Sequence, residues 1–222
     1  MGGMTVVFDL DGTLVDSAPD LKTAVNAVLQ AAGRRPITLD ETRRFIGRGS
    51  RVLLQRAFEA TAPGIAFDVE AAYRHYLDAY RACVADETQP FPGVLETLEA
   101  SRAEGWTLAL CTNKPEALAL ELLEALALAA PFGTAVVGGD TLPVHKPDPA
   151  PVHEAIWRAG GVLPAVLVGD SETDVAAARA AGIPVIAVPW GYREGSVDDL
   201  GADAVLPSFE QLGEVLHAVV NA

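Results

Sequence analysis

The sequence predicts an α/β protein: a doubly wound parallel sheet with an all-helical segment inserted near its N-terminus. Three observations point there. Short runs at 5–8, 107–111, 135–137, 165–168, 185–188 and 204–206 are apolar on successive residues, as strands covered on both faces are. From Phe91 onward these runs alternate with helix-like stretches, a pattern that yields parallel strands joined by right-handed crossovers. Between the first and second runs lies an insertion of about seventy-five residues, far longer than a crossover needs, with helical apolar spacing. Residues 1–16 and 92–222 are therefore assigned to one α/β core, and 17–91 to a helical domain set into it.

In chain order, the first strand stops at Asp9-Leu10-Asp11-Gly12, where glycine reads as a sharp turn. In the insertion, Pro19 opens a helix whose Leu21, Val25, Val28 and Ala32 share a face until Gly33 stops it. Thr38 and Glu41 have capping-box spacing for a second helix. Val52, Leu53, Leu54, Ala57 and Phe58 mark a third. Val69, Tyr73, Tyr76, Tyr80 and Cys83 stripe a fourth, and the tyrosines are read as bundle core. Further helices are expected over 93–104, 115–127, 150–159, 172–181 and 208–219.

Composition narrows the function classes. The formal net charge of −14 argues against binding nucleic acid or an anionic membrane surface. The two cysteines, Cys83 in a predicted helix and Cys111 in a predicted strand, read as reduced core residues, not a disulfide framework or a zinc site. No apolar run reaches the roughly 18 residues of a membrane span, and the N-terminal residues lack a signal-peptide pattern. A cytoplasmic monomer or homodimer acting on a small molecule is expected.

The most informative segment is Val6 to Ser17. Asp9 and Asp11 alternate along a strand end, so they share a face while Leu10 points into the core. Two like charges at the lip of a core repel and cost desolvation. A chain tolerates them when a cation sits between them or when they do chemistry. An ordinary Asp-Gly turn looks the same in isolation. Three more segments separate the two readings: Leu110-Cys111-Thr112-Asn113-Lys114, His145-Lys146-Pro147 and Val168-Gly169-Asp170-Ser171-Glu172-Thr173-Asp174. Each lies at or after the carboxyl end of a predicted strand, where open α/β sheets bind ligands. In order and type the four segments resemble the motifs of the haloacid dehalogenase-like (HAD) hydrolases, and they frame almost the whole chain. The helical insertion resembles the cap domain of one subgroup of that family.

The resemblance implies a Mg²⁺-dependent phosphatase acting on a small phosphate monoester. Asp9 is then the nucleophile. It is ionised at neutral pH without an activating base, and it would form an aspartyl-phosphate that water hydrolyses. Asp11 would protonate the leaving oxygen and then deprotonate that water. By the same resemblance, the Asp9 carboxylate, the Asp11 backbone carbonyl and the Asp170 carboxylate hold Mg²⁺, an ion suited to hard oxygen ligands. Asp174 would act from outside the ligand shell. Thr112 and Asn113 would bind phosphoryl oxygens, and Lys146 would pair with the nucleophile and the transferring group. Lys114 reads as a capping residue. Thr13 and Ser17 fit either backbone approach to phosphate or turn and cap roles.

Substrate choice is expected to reside in the insertion. Arg43, Arg44, Arg48, Arg51 and Arg56 fall within fourteen residues that contain no acid. Arg48, between Gly47 and Gly49, is the candidate to grip a substrate carboxylate through two parallel hydrogen bonds. Phe45-Ile46-Gly47-Arg48-Gly49, Phe91-Pro92-Gly93-Val94, Gly138-Gly139-Asp140-Thr141-Leu142-Pro143 and Lys146-Pro147-Asp148-Pro149 are similar to the phosphoglycolate phosphatase branch of the family. That similarity implies 2-phosphoglycolate as substrate. His145 departs from it, standing where relatives often carry arginine. The alternatives are a phosphatase for another sugar or nucleotide monophosphate, a phosphosugar mutase sharing all four motifs, and a non-catalytic phosphate-binding regulator. A dehalogenase lacks the second carboxylate that Asp11 supplies.

Overall fold

The computed structural model describes residues 3–193 and 195–221. The chain runs through β1 (Thr5–Phe8), β2 (Val15–Asp16), α1 (Ala18–Ala31), α2 (Leu39–Phe45), α3 (Ser50–Thr61), α4 (Val69–Arg81) and β3 (Gln89–Pro90). It continues through α5 (Val94–Ala103), β4 (Thr107–Cys111), α6 (Glu116–Ala125), β5 (Val136–Val137), α7 (Ala150–Arg158) and β6 (Ala165–Gly169). It closes with α8 (Glu172–Ala181), β7 (Val185–Ala187), β8 (Ala204–Val205) and α9 (Leu212–Val220).

Six strands form one parallel sheet in the order β5-β4-β1-β6-β7-β8. Its apolar runs serve two faces. Val6 and Phe8 of β1 pack with Val94, Leu98, Leu122 and Leu212, whereas Val7 packs with Val152, Ala155, Ala177 and Ala178. This double cover is why the strands lack polar alternation. Register positions the chemistry. Phe8 stands level with Leu110 on one side and Val168 on the other. The next residues of all three strands therefore leave the sheet at one edge, bringing Asp9, Thr112 and Asp170 together. After β5 the chain crosses to the far side of β1, so this edge lies at the topological switch point.

The inserted helices have their own core, in which Leu21, Val25, Leu29, Leu54, Phe58, Tyr76 and Tyr80 are buried, with Leu118 of α6 joining from below. Thr38 and Glu41 form the expected capping box on α2. Both cysteines are free and buried.

Several boundaries differ from the expected ones. α1 ends at Ala31, leaving Ala32 exposed beyond the apolar face. Cys83 follows α4 instead of lying within it. α6 stops at Ala125, before Ala127 takes a φ of 57°. α9 starts at Leu212, after a separate 3₁₀ turn over Phe209–Gln211. β2 and β3 pair antiparallel as the two-residue stalk of the insertion, too short to leave a sequence pattern.

The stalk is clasped by Asp20, which is buried. Its carboxylate accepts from Glu87 N (3.1 Å), Thr88 N (2.8 Å) and Thr88 Oγ1 (2.6 Å), tying the first turn of α1 to the returning chain. Asp20→Ala leaves these donors without their acceptor, so unfolding free energy in urea should fall by about 3 kcal/mol. A loss below about 1 kcal/mol would show that the clasp contributes little.

Candidate active site

At the carboxyl edge of the sheet, the Lys146 ammonium is buried between two carboxylates, 2.9 Å from Asp9 Oδ1 and 2.6 Å from Asp174 Oδ1. Carboxylate oxygens of Asp9, Asp170 and Asp174 lie within 4.8 Å of one another. Asp174 is held by its own helix start. Its Oδ2 accepts from Ser171 Oγ (2.6 Å), Ser171 N (3.1 Å) and Asp170 N (3.2 Å), a capping box that also fixes the loop carrying Asp170. Asp170 Oδ2 accepts from Tyr192 N. Among the described residues, Asp9 Oδ2 and Asp170 Oδ1 accept no hydrogen bond. Gly12, at φ +86°, and Gly191 press against the Asp170 carboxyl, and a Cβ on either would collide with it.

Burial dominates the electrostatics. It pushes the Asp9 carboxyl up to about 6, against the lowering pull of Lys146. Burial, with Asp174 and Asp9 adding repulsion, holds Asp170 well above the usual carboxylate range. For Lys146 burial pulls down, but Asp174 and Asp9 together raise it above the ordinary lysine value, so it stays charged. Three carboxylates against one ammonium leave two negative charges uncompensated when all are ionised. With hard oxygen donors only, this cluster fits a divalent cation such as Mg²⁺.

Asp11 sits apart from that cluster. Its carboxylate accepts from Lys114 Nζ at 2.9 and 3.0 Å and from Ser17 Oγ at 2.5 Å. Lys114 is therefore no helix cap: it is a buried cation at the site, stacked 4.5 Å over the Tyr80 ring of α4. Ser17 does not cap α1 with its side chain. Thr13 Oγ1 is buried without a partner. No sequence pattern marks a loop lysine as paired with a carboxylate 103 positions away.

A cavity of about 40 Å³ links core and insertion. Asp9, Asp11, Thr112, Asn113, Lys114 and Lys146 line it from below, and Gly47, Ser50 and Tyr76 from above. Tyr76 thus serves both the bundle core and the cavity wall. Thr112 Oγ1 accepts from Lys114 N (3.2 Å). The Asn113 amide donates to Lys146 O (3.0 Å) and Gly47 O (3.2 Å), so it bridges core to insertion, while its Oδ1 is buried without a partner. Arg48 is exposed and lines the two adjoining cavities, not this one. Among the described residues, no helix is long and apolar enough to cross a membrane.

A parallel sheet with carboxylates and buried lysines converging at its switch point, under a helical cap, defines a site for an anionic ligand. The profile of the haloacid dehalogenase-like hydrolases matches residues 6–188, and the chain belongs to that family. Among its relatives, the phosphoglycolate phosphatase of Caulobacter vibrioides is 46% identical over 94% of this chain and 89% of its own. That of Agrobacterium fabrum is 42% identical over 95% and 91%. A solved structure, described as a predicted phosphoglycolate phosphatase from Haemophilus somnus 129pt, superposes with a TM-score of 0.89 at 31% identity, over 96% of this chain and 97% of that one. Within the family the chain is phosphoglycolate phosphatase-like, an enzyme of the phosphoric monoester hydrolase class.

Lys146→Met should destabilise the metal-free protein at pH 8 by about 3–5 kcal/mol, because it strips the cation from buried carboxylates. The loss should shrink at pH 5. A carboxyl whose folded pKa is raised favours folding while protonated, and this contribution fades as pH rises through about 6 for Asp9. Urea unfolding in EDTA at both pH values checks this; an equal loss at both would contradict it.

Proposed function

We propose that the protein hydrolyses 2-phosphoglycolate to glycolate and phosphate with the help of Mg²⁺. The observation that carries the reading is Asp9. One oxygen is pinned by buried Lys146, the other carries no hydrogen bond, and the cavity it faces also holds Asp11 and a second lysine.

Asp9 attacks phosphorus, the ester P–O bond breaks, and an aspartyl-phosphate remains. The departing oxygen takes a proton from Asp11. Asp11 then removes a proton from water, which attacks phosphorus and frees Asp9 and phosphate. Lys114 and Ser17 both donate to the Asp11 carboxylate, so Asp11 must first take up a proton from solvent, with Lys114 turning to the incoming anion; the proton it gives the leaving oxygen is replaced by the one it removes from the attacking water. Thr112, Asn113 and Lys146 orient the phosphoryl group, and Asp174 positions Lys146. Mg²⁺ would be held by the carboxylates of Asp9 and Asp170 and the Asp11 carbonyl, where it supplies charge neutralisation for the phosphoryl oxygens. Arg48, whose neighbours Gly47 and Gly49 line the cavity, is proposed to meet the substrate carboxylate from the rim. The small cavity supports a short substrate. By a measure in which one water takes roughly 10–15 Å³, about 40 Å³ is room for about three waters, less than a phosphate group fills, so any ester must displace the lining and a short one displaces least.

Phosphate release from 2-phosphoglycolate, a nucleoside monophosphate and hexose phosphates, with and without Mg²⁺, tests the proposal. The expected result is Mg²⁺-dependent release with 2-phosphoglycolate preferred, abolished in Asp9→Asn. Another preference would move the substrate and keep the mechanism. Interconversion of glucose 1- and 6-phosphate without release would replace hydrolysis by the mutase reaction.

Metal binding gives a second test. It needs Asp9 and Asp170 ionised, and burial raises both. Mg²⁺ should therefore raise Tm by several degrees at pH 7.5, on the order of 2–3 kcal/mol at saturating ion, and by much less at pH 5. A shift independent of pH would place the ion elsewhere.

A further inference from the structure

Beside the catalytic cavity lies a second one, about 310 Å³, between insertion and core. Ile46 and Gly47 line both, so the two adjoin. Four arginines line the larger: Arg44, Arg48 and Arg56 from the insertion and Arg193 from the loop after β7. None pairs with a carboxylate among the described residues, although six other arginines do. Arg56 donates to Arg44 O and Phe45 O, and Arg193 to Val188 O and Pro189 O, so backbone carbonyls position these guanidinium groups without cancelling their charge. Among the described residues, Glu172 is the one acid in the lining.

This concentration of uncompensated positive charge stands in a chain of net charge −14. Such a chain repels a multiply charged anion at a distance. A cleft lined by one sign of charge focuses the field locally and raises both substrate concentration and capture rate. The cavity on the other side of Arg48 offers no such bias. Its Arg51 is tied to Glu70 at 2.9 Å, and Asp140 shares its lining.

We infer that the arginine-lined cleft is the entrance through which an anionic phosphate ester is drawn to the catalytic cavity. The inference rests on the proposed phosphatase reading only in taking the substrate to be an anion. The cleft acts before chemistry, so its charge governs capture and not turnover.

The test compares wild type, Arg44→Gln, Arg44→Glu and Arg102→Glu across ionic strength. Arg44 is exposed, and among the described residues its side chain makes one hydrogen bond, a long one to Asp40 O at 3.4 Å. Arg102 lies on α5, lines neither cavity and matches the charge change. At ~20 mM salt, kcat/KM of Arg44→Glu should fall about 5-fold and that of Arg44→Gln about 2-fold, with kcat unchanged. At ~0.5 M salt the variants should converge on wild type, because screening removes the field. Arg102→Glu should track wild type throughout. The association rate of inorganic phosphate, measured by stopped-flow tryptophan fluorescence, should show the same order without any turnover. Equal effects of Arg44→Glu and Arg102→Glu on both readouts, or a fall in kcat parallel to kcat/KM, would overturn the inference. Should wild type hydrolyse another ester and not 2-phosphoglycolate, the substrate reading fails while the arginine dependence is read on that ester. Should it hydrolyse none, the phosphate association rates still decide.

Discussion

The rest of the structure is arranged around one buried ammonium. Lys146 is 3% exposed and sits between Asp9 and Asp174, with Asp170 close by. Burying charge is costly unless every charged group finds opposite charge and hydrogen bonds. The fold meets that demand from several directions. β1 and β6 deliver Asp9 and Asp170 at one level of the sheet. The start of α8 spends its capping box on Asp174. Asn113 holds the Lys146 carbonyl, fixing the loop from which the side chain enters. Gly12 and Gly191 leave room for the Asp170 carboxyl where any side chain would displace it. Each feature is modest alone. Together they keep one lysine and three carboxylates in a volume that water would otherwise fill.

The insertion completes the site at low cost to itself. Its core consists mostly of α1, α3 and α4 residues, so most of its apolar packing is internal. What joins it to the core near the chemistry is mostly polar. The Asn113 amide reaches Gly47 O, Arg43 pairs with Asp16 at 3.0 Å, and the Tyr192 hydroxyl accepts from Ala18 N. Water can replace such contacts, whereas exposing an apolar interface has no substitute. Leu118 is the exception, an apolar anchor from α6 within the bundle core.

Much of this was legible in the sequence because it obeys short-range rules. Doubly covered strands show as apolar runs, and the helices as apolar spacing with caps. The carboxylates of the candidate site stand where those runs stop. Asp174 was visible at its place in the helix start, but its grip on Lys146 was not, since that depends on two loops meeting in space. Lys114 read as no more than a cap, and only the fold sets it under Tyr80 and against Asp11. Tyr192 showed no role in the sequence, because its contact with Asp170 spans 22 positions. Arg48 was legible as a cation on a loop, yet which cavity it faces is decided by the turn at Gly47 and Gly49, where φ is +110° and +84°.

The two kinds of cation are used differently, and the difference follows from their pairing. Lys114 and Lys146 are buried, compact and each bonded to carboxylates, so in the resting protein they cast little field beyond the cavity. In the proposed reaction they would meet phosphate only once it has arrived and competes for them. The arginines at the rim are the reverse: among the described residues none pairs with a carboxylate, and they line an open cleft. Guanidinium suits that place because it is weakly hydrated and stays charged at any accessible pH. A chain this acidic therefore separates attraction from chemistry. Unpaired arginines outside supply the field, and paired lysines inside supply the contacts. Moving either type to the other's position would lose one function without strengthening the other.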